Sequence, residues 1–361
     1  MKLSDREWKA FNIVDIFRLV RGTEGNMASL QNGHIPLVSA RNVNNGVKRF
    51  VDNPKKIIKG NCITLNNDGD GGAGLAYYQP CDMALDAHVT ALIPVLEISN
   101  YAMLFISECL SKLHGFFGHG YSISNKRASN IKIMLPIDNN DEPDYQFMEE
   151  YMKELMLTKR KQYHEYVGKR LAELEFVKKC QRGGYNLGLE SRKWRVFLIE
   201  DLFSVKRPPA RNKDDYEVGE VPFVASGSVN NGVMKCCKPH DDEKLDDARC
   251  ITVSPVDGSA FYQPYSFLGR GGAGSSILML YADNLNLHSG QFIAKMISNT
   301  CTCKYTYGHM GNKDGIKRER TMLPVDDNDE PDYNFMEECG RKMMTKKYTQ
   351  YLNYLESSGT I

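Results

Sequence analysis

Leu135-Pro-Ile-Asp-Asn-Asn-Asp-Glu-Pro-Asp-Tyr-Gln-Phe-Met-Glu-Glu150 and Leu323-Pro-Val-Asp-Asp-Asn-Asp-Glu-Pro-Asp-Tyr-Asn-Phe-Met-Glu-Glu338 agree at 13 of 16 positions, offset by 188 residues. Chance does not give such agreement, and a repeat of this kind governs the whole fold. Outward from it the duplication continues. Trp8-x-x-Phe11-x-Ile13-x-Asp15-x-Phe17 returns as Trp194-x-x-Phe197-x-Ile199-x-Asp201-x-Phe203. Pro36-x-Val38 with Asn44-Asn-Gly-Val47 returns as Pro222-x-Val224 with Asn230-Asn-Gly-Val233, again offset by 186. Cys62-Ile-Thr64 and Tyr78-Gln-Pro80 return as Cys250-Ile-Thr252 and Tyr262-Gln-Pro264, with offsets of 188 and 184. The ends of each copy are alike and the middles diverge. Shared ends imply a shared scaffold; divergent middles imply different targets.

The 361 residues are enough for two domains, each with its own core. The net charge is +1, so a uniformly basic DNA binder is excluded and any nucleic-acid surface must be local. No apolar run approaches the ~20 residues that span a bilayer. The polar start, Met1-Lys-Leu-Ser-Asp-Arg-Glu-Trp8, lacks a signal-peptide apolar region, so a cytoplasmic location is expected. The ten cysteines include no C-x-x-C pair, which points to reduced structural thiols and no metal site.

Short apolar runs between turn signals predict strands at Ile35–Val38, Cys62–Leu65 and Val89–Ile93. The second copy has Val221–Val224, Cys250–Val253 and Ile277–Leu280, and Asn45-Gly46 and Asn231-Gly232 mark turns. Short helices are expected at Tyr101–Leu113 and Ser289–Ser298. The fold class is therefore α+β: two tandem α/β modules separated by long antiparallel coiled-coil helices. The expected segments are 1–144 (first module), 145–182 (first long helix), 183–332 (second module) and 333–361 (second helix). Asp141 and Asp329 are the expected N-caps, with Pro143 and Pro331 in the first helical turn. About 37 residues without proline, from Tyr145, give a rod of roughly 55 Å. Met344, Tyr348, Tyr351 and Leu355 step by 4, 3 and 4; Met156, Tyr163, Val167, Leu171 and Leu174 form a similar stripe, interrupted by Arg160. These stripes are candidate pairing and partner surfaces; the simpler alternative is an amphipathic helix packed on its own domain.

Several catalytic motifs are missing. Gly69-Asp-Gly71-Gly-Ala-Gly74 and Gly269-Arg-Gly271-Gly-Ala-Gly274 both fit G-x-G-x-x-G, but no clear helix follows either, as dinucleotide binding requires. They lie on opposite sides of their Tyr-Gln-Pro markers, so they are not equivalent. Glycine there suits a loop that approaches a DNA backbone closely. No [Asp/Asn/Ser]-Pro-Pro-[Tyr/Phe] methyltransferase signature and no P-loop occur, and Pro143-Asp144 has no Glu-x-Lys partner. His88, His119 and His309 read as isolated loop histidines.

Candidate DNA contacts are polar and basic residues in turns and divergent segments. Arg pairs with guanine and Asn with adenine by bidentate geometry. Arg41, Asn42, Asn44, Asn45, Ser226, Asn230 and Asn231 qualify; the alternative for Asn45 and Asn231 is that they simply form their Asn-Gly turns. Tyr121, Lys126 and Arg127, with Lys313, Lys317 and Arg318, precede each closing strand; Arg270 sits in the second glycine loop. These are placed to hold phosphates or bases, or else form a solvated basic loop.

Two divergent modules, each closed by Leu-Pro (Leu135-Pro136, Leu323-Pro324) and followed by a near-identical helix start, resemble the specificity subunits of Type I restriction–modification systems. The Asp-Glu-Pro-Asp-Tyr helix starts also resemble the separate specificity subunits of Type IIB enzymes. The resemblance covers the whole chain. It implies two target recognition domains in DNA major grooves, half-sites about one helical turn (roughly 34–36 Å) apart, and a helical spacer. It further implies two DNA methyltransferase subunits as partners, a possible restriction subunit, S-adenosylmethionine bound by those partners rather than by this chain, and no catalysis here. The alternatives are a tandem protein-interaction scaffold and a fused modification enzyme.

Overall fold

A computed structural model describes residues 1–69, 72–118, 121–180, 188–272, 276–306 and 308–357. The chain divides into two compact units, Met1–Tyr163 and the residues from His164 onward. The division falls inside the first long helix, which contributes its first half to one unit and its second half to the other.

Unit 1 runs β1 (Trp8–Asn12), α1 (Ile13–Ile16), β2 (Phe17–Arg21), β3 (Asn32–Val38), β4 (Val47–Val51), β5 (Cys62–Asn66), β6 (Ala76–Gln79), β7 (Ala84–Leu85), β8 (Val89–Pro94), α2 (Asn100–Ser111), α3 (Asn125–Ala128), β9 (Lys132–Pro136) and α4 (Tyr145–Cys180). Its sheets have the orders β2-β8-β5-β6, β4-β3-β7 and β1-β9. β3 and β7 pair in parallel.

Unit 2 repeats this with β10 (Trp194–Leu198), α5 (Ile199–Leu202), β11 (Ser204–Lys206), β12 (Val218–Val224), β13 (Val233–Cys237), β14 (Cys250–Val253), β15 (Ala260–Gln263), β16 (Leu268–Gly269), β17 (Leu278–Tyr281), α6 (Leu287–Cys301), α7 (Lys313–Lys317), β18 (Arg320–Pro324) and α8 (Tyr333–Ser357). The orders are again β11-β17-β14-β15, β13-β12-β16 and β10-β18.

The unbroken apolar character of β5 follows from cover on both faces. Alternate residues point opposite ways: Ile63 and Leu65 meet Ile106 and Leu110 of α2 in the main core, while Cys62 packs with Val38, Leu85 and Val89. Fully burying each Leu or Ile contributes about 1.5–3 kcal/mol. In unit 2 Ile251 and Val253 meet Ile293 and Ile297 of α6. There Gly290 lets α6 approach β15 closely; a Cβ at that position would lie 2.2 Å from the Tyr262 ring.

The duplicated 16-residue stretch forms a duplicated device. Asp138 closes an Asx loop, accepting from Asn140 N (2.8 Å) and Glu142 N (3.1 Å); Asp326 accepts from Asn328 N (2.9 Å) and Glu330 N (3.1 Å). The helix N-caps are not Asp141 and Asp329, as expected, but Asp144 and Asp332, which accept from Phe147 N (2.8 Å) and Phe335 N (2.9 Å). Asp141 and Asp329 instead adopt φ 64°, which turns the chain before the cap. Pro143 and Pro331 therefore precede the helix, bridging to Ile137 and Val325. Arg6 pairs with Asp144 (2.8 Å) and lies over Phe147; Arg192 pairs with Asp332 (3.6 Å) and lies over Phe335.

The first helix has 36 residues, or about 54 Å of rod, and the second has 25. Within unit 2 the second half of α4 meets α8: Tyr166 stands edge-on to Tyr348 at 6.5 Å, with the Arg170 guanidinium close to Tyr348. No helix of the described residues is long and apolar enough to cross a membrane. The nine cysteines whose side chains are described are free thiols.

Candidate nucleic-acid interface

Each module ends in a rim of loops where β3, β5, β7 and their counterparts stop. The rim's foundation is an amide clasp. Asn45 Nδ2 donates to Tyr78 O (2.9 Å) and Gln79 Oε1 (3.4 Å), while Gln79 Nε2 returns a bond to Asn45 O (2.9 Å) and another to Thr64 Oγ1 (3.0 Å). Asn231, Tyr262, Gln263 and Thr252 repeat it at 3.1, 3.2, 3.0 and 2.9 Å. Asn45 and Asn231 also supply left-handed turn residues, at φ 53° and 57°, a conformation asparagine tolerates. The side chains of these two candidates are thus committed to the frame. Their neighbours Asn42, Asn44 and Asn230 are exposed.

In module 1 the rim joins three segments. Arg41 O accepts from Asn66 Nδ2 (2.9 Å) and Tyr77 Oη (3.2 Å), which fixes its backbone. The Arg41 guanidinium lines an open cleft of about 690 Å³ with Ser39, Lys48, Asp68, Asp86 and His88. His88 Nδ1 lies 2.9 Å from Asp68 Oδ2, and that carboxylate raises the imidazole above its ordinary pKa. Gly69, at the start of the glycine loop, lines this cleft, and a Cβ there would lie 3.0 Å from Ala40 O. Ile123 N bonds Asn67 O (2.7 Å), which ties the third segment beside it. There Phe117 and Tyr121 stack at 5.8 Å and 8°, and the Arg127 guanidinium lies 4.1 Å above Tyr121 while donating to Ser122 O (2.6 Å). Phe116 beside them is 74% exposed, and Lys126 projects to solvent.

Module 2 builds the same rim with other side chains. Gly311 N bonds Pro255 O (2.8 Å) as Ile123 N bonds Asn67 O. Tyr305 and His309 stack at 6.4 Å and 17°, but Gly315 stands where Arg127 does, and Tyr305 Oη donates to Glu319 (2.7 Å). Ser226 Oγ donates to Ser276 O (3.0 Å) and so braces the loop from within. Arg270 follows β16, its N–H bonded to Val224 O (2.8 Å). Lys313 and Lys317 are half-buried on α7, and Arg318 is exposed at its end. The second glycine loop runs from β16 to β17, so neither glycine loop opens a helix.

Of the candidate partner residues on the helices, Val167 and Leu355 are buried within the chain, and Tyr348 is half-buried against Tyr166. The Tyr166–Tyr348 contact brings the second half of α4 against α8. Met156 and Met344 are half-buried, while Tyr163 and Tyr351 are 38% and 41% exposed. Sequence reading missed Tyr166, Arg170, Asn66, Tyr77, Asp68 and Phe117, whose roles arise only from sheet register or helix pairing.

Two copies of one frame, each presenting a different set of polar and basic groups on its loops, define a two-module recognition protein. Residues 5–164 and 191–353 match the model of the Type I restriction modification DNA specificity domain. The chain belongs to that family; it is a non-catalytic DNA-specificity subunit of a restriction–modification system. It is 23% identical over 345 residues to the "Type II restriction enzyme BgcI specificity subunit S.BcgI" of Heyndrickxia coagulans, covering 94% of this chain and 95% of that one. Among solved structures, the Type I restriction–modification S subunit from M. genitalium is 12% identical with a TM-score of 0.43, covering 99% of this chain and 94% of that one. The HsdS subunit from Thermoanaerobacter tengcongensis is 12% identical with a TM-score of 0.31, at 97% and 90% coverage.

Proposed function

We propose that the chain reads a bipartite, asymmetric site in double-stranded DNA, one half-site per module, and recruits two DNA methyltransferase subunits in the cytoplasm of a bacterium or archaeon. S-adenosylmethionine binds those subunits, not this chain, and a restriction subunit joins the same assembly where the system cleaves. The observation that carries the reading is the pair of rims: one hydrogen-bonded frame, two different sets of side chains. A frame repeated with equal readers would serve a symmetric site; unequal readers serve an asymmetric one. The duplicated helix starts, each with its Asx loop, cap and arginine, support two equivalent docking places for a repeated partner.

Methylome sequencing of a host carrying the system tests this directly. The expected result is two unlike half-sites at fixed separation. A continuous palindrome would refute it. Binding of the chain with its methyltransferase should fall steeply with salt, since phosphate contacts release counterions. Salt-independent association, or methyl transfer by the chain alone, would favour a protein scaffold or a fused enzyme instead.

A further inference from the structure

We propose that Arg41 in module 1 and Arg270 in module 2 are base-reading side chains, each recognising a guanine in its half-site from a different loop of the same frame. The inference rests on the DNA-reading function proposed above and assigns its specificity to two residues.

The two positions are stations of one architecture. Gly227 occupies in module 2 the place of Arg41, and its carbonyl accepts from Ser259 Oγ (2.9 Å) much as that of Arg41 accepts from Asn66 and Tyr77. Asp86 occupies in module 1 the place of Arg270: Asp86 N bonds Val38 O (2.9 Å), and Arg270 N bonds Val224 O (2.8 Å). The guanidinium has exchanged stations between the copies, from the end of β3 to the end of β16. A merely structural arginine would keep its station in a frame whose clasp is otherwise duplicated bond for bond.

Both backbones are pinned, so the side chains are presented at low entropic cost. Arg41 N also bonds Ser39 O (2.7 Å), and Arg270 O accepts from Ile277 N (3.0 Å). Neither guanidinium is used by the frame. Among the described residues the Arg41 guanidinium hydrogen-bonds Val47 O alone, at 3.5 Å, and Arg270 makes no side-chain hydrogen bond or ion pair. Arg127, by contrast, is held by Ser122 O and Tyr121, and Arg211 is locked in a buried ion-pair network. Around Arg41 the cleft also carries Asp86 and Lys48, with Asp68 paired to His88; an acceptor and a donor beside the guanidinium match the mixed donor and acceptor edge of a base pair.

The test uses the full chain with its methyltransferase subunit, selecting duplexes from a randomised library. Arg41→Ala should lose discrimination, roughly tenfold to a hundredfold, at one guanine of one half-site and leave the other half-site intact. Arg270→Ala should do the same in the other half-site. Arg41→Lys and Arg270→Lys keep the charge and the fold but lose the two-pronged donor, so they should behave like the alanine variants. The proposal is overturned if lysine restores discrimination. It is equally overturned if either alanine variant weakens all sequences uniformly and lowers the salt slope by about one, which marks a phosphate contact. A wild-type chain that enriches no sequence would instead overturn the DNA-reading function beneath it.

Discussion

Replacing Arg211 by methionine should unfold module 2 selectively. Its side chain is 4% exposed and makes four bonds: Nε to Glu243 (2.7 Å), Nη1 to Asp246 (2.7 Å) and Gly269 O (3.1 Å), and Nη2 to Lys244 O (2.8 Å). Methionine fills the space but leaves two largely covered carboxylates without their cation. Breaking a buried pair from one side costs about 3–5 kcal/mol. For a unit of this size each kcal/mol lowers the midpoint by about 2–4 °C, so a fall of roughly 6–20 °C is expected. Thermal melting gives the shift, and hydrogen exchange locates it. Amides of β12, β13 and β16 should lose protection while those of β3, β4 and β7 keep theirs. The pH dependence carries a sign as well. Burial pushes the Glu243 carboxyl up, but hydrogen bonds from Arg211 and Tyr216 outweigh it and hold the group below its ordinary value. In the native chain that stabilisation is full above about pH 4.3 and is lost as pH falls. Without Arg211 burial dominates, so the variant's deficit should shrink on acidification. A loss under about 1 kcal/mol, or equal loss of protection in both modules, would refute the account.

Gly340 of α8 faces His288, and a Cβ there would lie 2.5 Å from the His288 carbonyl. Gly340→Ala should therefore cost about 1–3 kcal/mol in urea unfolding despite its better helix propensity, and a stabilised variant would contradict the close packing. Asp144→Ala and Asp332→Ala should each cost about 1 kcal/mol, whereas Asp141→Gly, at a left-handed position, should be close to neutral; equal losses at 141 and 144 would return the cap to Asp141. Burial, with Arg341 and Arg170 outweighing Glu337, holds the His288 imidazole below its ordinary value. A depressed histidine keeps its full contribution above about pH 6.5 and loses it as pH falls. Stability should decline below that pH, and His288→Gln should flatten the decline; an unchanged slope would assign it to other groups.

Three strands of each module and both long helices are legible in the sequence because apolar periodicity and the duplicated motifs mark them twice. The helix cap is less so. Asp138, Asp141 and Asp144 are spaced by three, and each suits a turn or a cap; only the backbone shows that the first closes the loop, the second turns left-handed and the third caps. The dual nature of Asn45 and Asn231 is legible in part, since Asn-Gly announces the turn but not the partner glutamine 34 and 32 residues away. Asp68 and His88 meet through the β5–β8 register, which no local pattern records. Tyr166 lies one residue from the buried Val167 on a helix whose apolar stripe is broken by Arg160, so spacing alone favours Tyr163 as its seam residue.

The twin amide clasp has an evolutionary corollary. Because Asn45 with Gln79, and Asn231 with Gln263, spend their polar groups on each other, the geometry of the loop roots does not depend on what the loop tips carry. Mutations at the tips are then sampled on an unchanging mount, and a fresh target preference can arise in one half without remodelling its twin. A protein that must change what it recognises while keeping its quaternary contacts gains most from such insulation between root and tip.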